Sequence, residues 1–166
     1  PVFGLEKRGL LLILSSLLMV LLGFDFARLR VPRVNALFFD LFPSLASPRE
    51  AKRAASSTWY VCGVILAYAL FPTRIAVPAI VVLALADPMA SIVGRLWGGR
   101  RMGNGTVLGS LAFFSVAFLV LSAFFGPASA VVPALVVTGV EVVPWRLDDN
   151  LTVVVGGATA LWLMGV

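Results

Sequence analysis

The sequence predicts an all-α polytopic membrane protein of about six transmembrane helices, the third of them broken or kinked at Asp87-Pro88. Three observations carry this prediction. The 166 residues are 60% hydrophobic and only 13% charged, and their mean hydropathy is +1.03, which excludes a water-soluble globule. The charges cluster and leave uncharged intervals of 16, 20, 39 and 17 residues at 9–24, 54–73, 102–140 and 150–166; about 20 apolar residues cross a bilayer. The basic residues, finally, sort by side. Spans at roughly 9–24, 54–71, 75–94, 107–124, 128–143 and 151–165 put Arg28, Arg30, Arg33, Arg49, Lys52, Arg53, Arg95, Arg100, Arg101 and Arg146 on one face, against Lys7, Arg8 and Arg74 on the other. By the positive-inside rule the richer face is cytoplasmic and both termini lie opposite.

The same sorting accounts for the net charge of +5 without nucleic acid, because the aromatic residues lie in spans rather than in a basic groove. Cys62 is the one cysteine, so no intrachain disulfide forms. Histidine is absent, which leaves carboxylates, arginines, hydroxyls and amides for any chemistry. The whole chain, 1–166, reads as a single transmembrane domain, and Pro1 in place of a Met leaves room for an upstream segment.

The first apolar run lacks a small-residue cleavage site at its end and is expected to be a retained helix. The loop 25–53, with Pro32, Pro43 and Pro48, contains the apolar run Ala36 to Phe42 and predicts a short interfacial helix. In the third span Asp87 interrupts an apolar run, and a carboxylate in lipid is expensive and usually functional. Proline disfavours the helical region for the residue before it and suits the first helical position, so Asp87 is expected to cap a new half-helix. On that half-helix Asp87, Ser91 and Arg95 share one face, and Ala86, Ala90 and Gly94 form a small-residue face for close packing.

The following loop, Gly94 to Thr106, carries five glycines and the arginines Arg95, Arg100 and Arg101. Backbone N–H groups and guanidinium forks of this kind can wrap phosphates, although neither a Walker A sequence nor a dinucleotide fingerprint is present. Glu141, near the end of the fifth span, is another candidate, although it reads more readily as an interfacial residue. The last turn, Arg146 to Thr152, sets Asp148, Asp149 and Asn150 at the mouth of the sixth span. Adjacent acids repel, and a divalent cation such as Mg²⁺ relieves that repulsion; the same three residues also suit a plain turn with a helix cap. The topology brings Glu50, Asp87, the Arg95 to Thr106 loop and Asp148 to Asn150 to one face. An anionic substrate bridged by metal to carboxylates, with arginines neutralising the remaining charge, uses them all.

These residues resemble the membrane-bound CTP-dependent lipid kinase family that includes dolichol kinase, phytol kinase and the yeast-type diacylglycerol kinase, itself similar to CDP-diacylglycerol synthase. The pattern runs through Asp25-Phe26-Ala27-Arg28-Leu29, Pro32 with Asn35, Arg49-Glu50 before Thr58-Trp59-Tyr60, and Leu85 to Arg95. It continues through Asn104 to Ala112 and Asp148-Asp149-Asn150-Leu151-Thr152. The resemblance implies transfer of the γ-phosphate of CTP, with Mg²⁺, to a membrane alcohol of the polyprenol, phytol or diacylglycerol kind. The protein would be a multi-pass one of the prokaryotic plasma membrane or endoplasmic reticulum, active at the cytoplasmic face, and a homo-oligomer is compatible with it. It implies Asp87 and Asp149 as catalytic metal ligands, with Asp148 and Glu50 as further metal candidates. Ser91, Arg95, Arg100, Arg101, Asn104, Thr106 and Asn150 are the implied nucleotide and phosphate contacts. The family often has Lys before Ser or Thr where this chain has Gly105-Thr106, so Arg100 or Arg101 is expected to substitute. Two other readings use parts of the same pattern. A CDP-lipid-forming cytidylyltransferase shares the nucleotide and metal, and a small transporter shares the interrupted third helix.

Overall fold

A computed structural model describes residues 6–43, 48–103, 105–145 and 147–166, apart from the side chains of 48 and 49. Seven α-helices occur among them: α1 (Lys7–Arg30), α2 (Pro32–Leu41), α3 (Ser56–Leu70), α4 (Thr73–Trp97), α5 (Val107–Phe125), α6 (Pro127–Val142) and α7 (Asp149–Leu163). A 3-10 helix spans Pro48–Lys52, and two short strands, β1 (Arg101–Met102) and β2 (Gly105–Thr106), pair antiparallel with Arg101 opposite Thr106. Three of the helices, α1, α4 and α5, are long and apolar enough to cross a membrane, while α3 and α6 are shorter apolar helices. Each expected span coincides with a helix, and the loop 25–53 carries α2 where a short helix is expected.

The chain divides into two compact units, Pro1–Ile65 and Leu66–Val166, with the boundary inside α3. In the first, α1 continues six residues past the expected end of its span, because its last turns hold a charge pair that the helix itself neutralises. Arg28 Nε donates to Asp25 Oδ1 at 2.7 Å across one turn. The remaining guanidinium nitrogens pin down the polar segment before α3: Nη1 donates to Asn35 Oδ1 and to the Glu50 carbonyl, and Nη2 to the Arg53 carbonyl. Asp25 Oδ2 accepts from the Ala55 amide and the Thr58 hydroxyl. Arg28 is 0% and Asp25 3% exposed, so this is a buried charge pair whose hydrogen-bonding capacity is met by protein. Phe38 of α2 lies over the guanidinium, 4.6 Å from its Cζ.

In the second unit α5 packs against α4 and α6, and α7 also packs against α4 and α6. The buried stripe of α4 runs through Ala79, Leu83, Ala86 and Ala90, the four-three-four spacing that keeps residues on one helical face. Close approach of α5 follows from small residues: a Cβ on Gly109 would stand 3.0 Å from the Ala90 carbonyl oxygen, and one on Gly94 would stand 3.0 Å from Thr106 Oγ1. Hydroxyls in these apolar helices bond back one turn, as Ser115 does to Leu111 and Thr138 to Ala134.

The break expected as one alternative at Asp87-Pro88, with a new half-helix after it, is not present. α4 is one helix from Thr73 to Trp97 with Pro78 and Pro88 inside it, so Asp87 lies within a helix rather than capping a new one. Proline removes one N–H and crowds the preceding turn, but a helix packed among neighbours tolerates it.

Candidate functional site

The second unit gathers its acidic side chains from three helices. Asp87, half-buried on α4, lies close enough to Asp148 and Asp149 at the start of α7 to feel their charge. Glu141, in the last turn of α6, acts electrostatically on both Asp87 and Asp149. Ser110 of α5 donates its hydroxyl hydrogen to Glu141 Oε2 at 3.2 Å, and Ser110 is itself buried.

Two of these acids have defined structural duties. Asp148 is the N-cap of α7, with Oδ1 accepting from the Asn150 backbone N–H at 3.1 Å and from Asn150 Nδ2 at 3.0 Å. Asp149 is the first residue of the helix proper, where a helix dipole favours negative charge. The sequence left open whether this turn was only a cap. The structure assigns capping to Asp148, and Asp149 occupies the neighbouring position.

The glycine and arginine loop closes over the same end of the unit as a β-hairpin. Thr106 ends β2 and caps α5, its Oγ1 accepting from the Gly109 amide at 3.1 Å. Gly103 stands at the hairpin turn with a φ of 55°, and a Cβ there would collide with the Val142 carbonyl oxygen. Only glycine satisfies both the left-handed backbone and that clearance. A Cβ on Gly105 would lie 3.6 Å from Glu141 Oε1, so β2 passes directly beside that carboxylate. Arg100 and Arg101 are exposed. Ser91 and Arg95 are exposed on α4, where Arg95 Nε donates to the Ser91 carbonyl at 3.3 Å and makes no ion pair with Asp87. Asn104 lies outside the described residues.

Glu50 has a different setting. It lies in the first unit, 6% exposed, and its Oε1 accepts from both the Ser56 amide at 3.0 Å and the Ser56 hydroxyl at 2.6 Å, which satisfies the start of α3. The residue that sequence reasoning undervalued is Glu141. Its signal was an acid in the last turn of an apolar helix, and only the packing of α5 and β2 reveals its neighbours.

No group of three or more His, Cys, Asp or Glu side chains at metal-holding distances occurs among the described residues. Asp87 within α4 and the acids at the start of α7 therefore do not form an all-protein cage. They fit a cation such as Mg²⁺, which keeps several waters and takes one or two carboxylates together with substrate phosphates.

Over 105 residues, 61% of this chain and 33% of the relative, the sequence is 32% identical to CTP-dependent diacylglycerol kinase 1 of Eremothecium gossypii. Over 161 residues, 84% of this chain and 74% of the relative, it is 26% identical to the protein of the same name from Schizosaccharomyces pombe. The chain thus spans about a third of the length of the first relative. No family model matches the sequence, and no solved structure matches it.

Proposed function

We propose, from the relationship to CTP-dependent lipid kinases that these two relatives support, that this chain transfers the γ-phosphate of CTP to a membrane alcohol. Within the structure the reading is carried by one observation: Asp87, Glu141, Asp148 and Asp149 converge from three helices beside a hairpin bearing Arg101. Phosphoryl transfer asks little covalent chemistry of a protein and depends on positioning and charge.

In this reading Asp87 and Asp149 would hold Mg²⁺, and Asp148 fixes the turn that presents Asp149. The ion, when bound, supplies neutralisation of the phosphate charge. Arg95, Arg100 and Arg101 bind the phosphates as guanidinium forks, with Arg100 or Arg101 standing in for the family's lysine. Thr106 and Asn150 hold the ends of α5 and α7 that border the nucleotide, and Ser91 adds a hydroxyl; Asn104 is a further nucleotide contact in this reading. The alcohol oxygen bonds to the γ-phosphorus as the bond to the bridging oxygen breaks. CDP leaves with that electron pair, and the hydroxyl proton is released.

The site faces the cytoplasm in a six-span topology, with the shorter helices α3, α6 and α7 also in the membrane. A cysteine at Asn150 should then label from the cytoplasmic side and one at Thr73 from the opposite side, after Cys62 is replaced. Labelling of both from one side would refute this topology. The activity is tested with purified protein, CTP labelled in its γ-phosphate and a panel of polyprenols, phytol and diacylglycerol. CDP and a labelled lipid phosphate are expected. Pyrophosphate and a CDP-lipid would instead show a cytidylyltransferase, and flux in liposomes without nucleotide would show a transporter.

A further inference from the structure

The first unit holds a cavity of about 640 Å³, inside the range of about 300–1,000 Å³ found for small-molecule sites. One side of it is apolar, with Leu21 and Phe24 from α1, Phe38 from α2 and Phe42, the C-cap of α2. These aromatic rings brace one another: Phe38 stands 6.0 Å from Phe24 and 5.6 Å from Phe42, and is held over the Arg28 guanidinium as well. The wall is therefore preformed.

The other side is polar, and most of its capacity is already used. Both Asp25 oxygens accept from Arg28, Ala55 and Thr58. Glu50 Oε1 is taken by Ser56. Glu50 Oε2 accepts no hydrogen bond from the described residues, and Glu50 and the exposed Ser57 both line the cavity. What remains is one carboxylate oxygen and one hydroxyl at the edge of an aromatic groove. Such a site suits a long apolar chain ending in a single hydroxyl that can donate to the carboxylate. A phosphate at the same place would meet a like charge, so the cavity prefers an alcohol to its phosphate ester.

We propose that this cavity seats the membrane alcohol, with its chain along the Phe24, Phe38 and Phe42 wall and its hydroxyl donating to Glu50 Oε2. The proposal rests on the lipid-kinase reading for the identity of the ligand, and its test is separable from that reading. The full chain in phosphatidylcholine nanodiscs is irradiated with a long-chain alcohol bearing a diazirine, and the labelled residues are mapped by mass spectrometry. Label is expected on the α1 and α2 wall. Dodecanol should displace it at concentrations about tenfold lower than dodecane does. Ser57→Trp, which places bulk at an exposed position on the lining, should reduce labelling about tenfold without changing the unfolding midpoint. Glu50→Gln keeps an oxygen for Ser56 but replaces the second acceptor by a donor, and should erase the preference for dodecanol over dodecane. Label distributed elsewhere, or dodecane competing as well as dodecanol in the parent protein, overturns the proposal. Labelling of the cavity without any lipid phosphate from CTP would leave the cavity standing and remove the kinase reading. Lipid phosphate formed at the parental rate by Ser57→Trp, with label outside the cavity, would do the reverse.

Discussion

The two compact units both withdraw carboxylates from water, and they treat them in opposite ways. In the first, Asp25 receives a guanidinium, a backbone amide and a hydroxyl, and Arg28 spends its own donors on an amide oxygen and two carbonyls. Charge and hydrogen bonds balance inside the protein. In the second, Glu141 in the last turn of α6 and Asp148 and Asp149 at the start of α7 lie within electrostatic reach of Asp87 inside α4, and neither Asp87, Glu141 nor Asp148 has an ion pair with a described Lys or Arg. A balanced buried pair is a fastening, whereas like charges brought near one another repel.

The largest effect should come from unbalancing the first unit. Arg28→Ala leaves Asp25 buried without its counterion and frees the Glu50 and Arg53 carbonyls, so it should cost about 3–5 kcal/mol of stability. Denaturant unfolding in detergent measures this. A loss near zero would mean that Asp25 is not dependent on Arg28, and the contrast between the units would collapse.

Asp87→Asn should act the other way, on turnover and not on folding. The amide keeps the side chain's size and is cheaper to bury than a charge, while loss of the carboxylate should reduce CTP-dependent phosphorylation at least about a hundredfold, or roughly 2.7 kcal/mol of barrier. Near-parental turnover in the folded variant would remove Asp87 from the metal site.

A finer distinction divides adjacent residues. Asp148→Ala removes the acceptor for both Asn150 nitrogens and should cost about 1 kcal/mol of helix-cap stability, with little change in the Mg²⁺ concentration needed for half-maximal activity. Asp149→Ala should raise that concentration. Metal titration and melting of both variants check the pair, and an exchange of the two outcomes would reverse the assignment.

The helices were legible because apolar runs end at residues with physical reasons to end them. The expected spans 107–124 and 128–143 match Val107–Phe125 and Pro127–Val142, bounded by the Thr106 cap, Gly126 and Pro127. The end of α1 was not legible, because Asp25 and Arg28 read as the close of an apolar segment when each is taken alone, although one turn apart they cancel. Pro88 misled for a related reason: local backbone preference argued for a new half-helix capped by Asp87, whereas α4 runs through both residues. The acids of the candidate site were visible as residues, yet the membership of Glu141 depends on Ser110 and Gly105, which are remote from it in sequence. Glu50 was visible as an acid, but its bonds to the Ser56 amide and hydroxyl at the start of α3 were not, because they depend on the turn between them.

Gly103 adds a constraint of another kind. The hairpin turn rests against the Val142 carbonyl with no space for one methyl group, and Val142 follows Glu141 directly in the chain. A substituent at Gly103 would be a wedge driven between the hairpin and α6. It would lift Arg101 and Gly105 away from the helix end that carries the carboxylate. The spacing between an exposed cationic loop and an acidic helix end is thus gauged by the absence of a single carbon atom, on a residue with no functional group of its own.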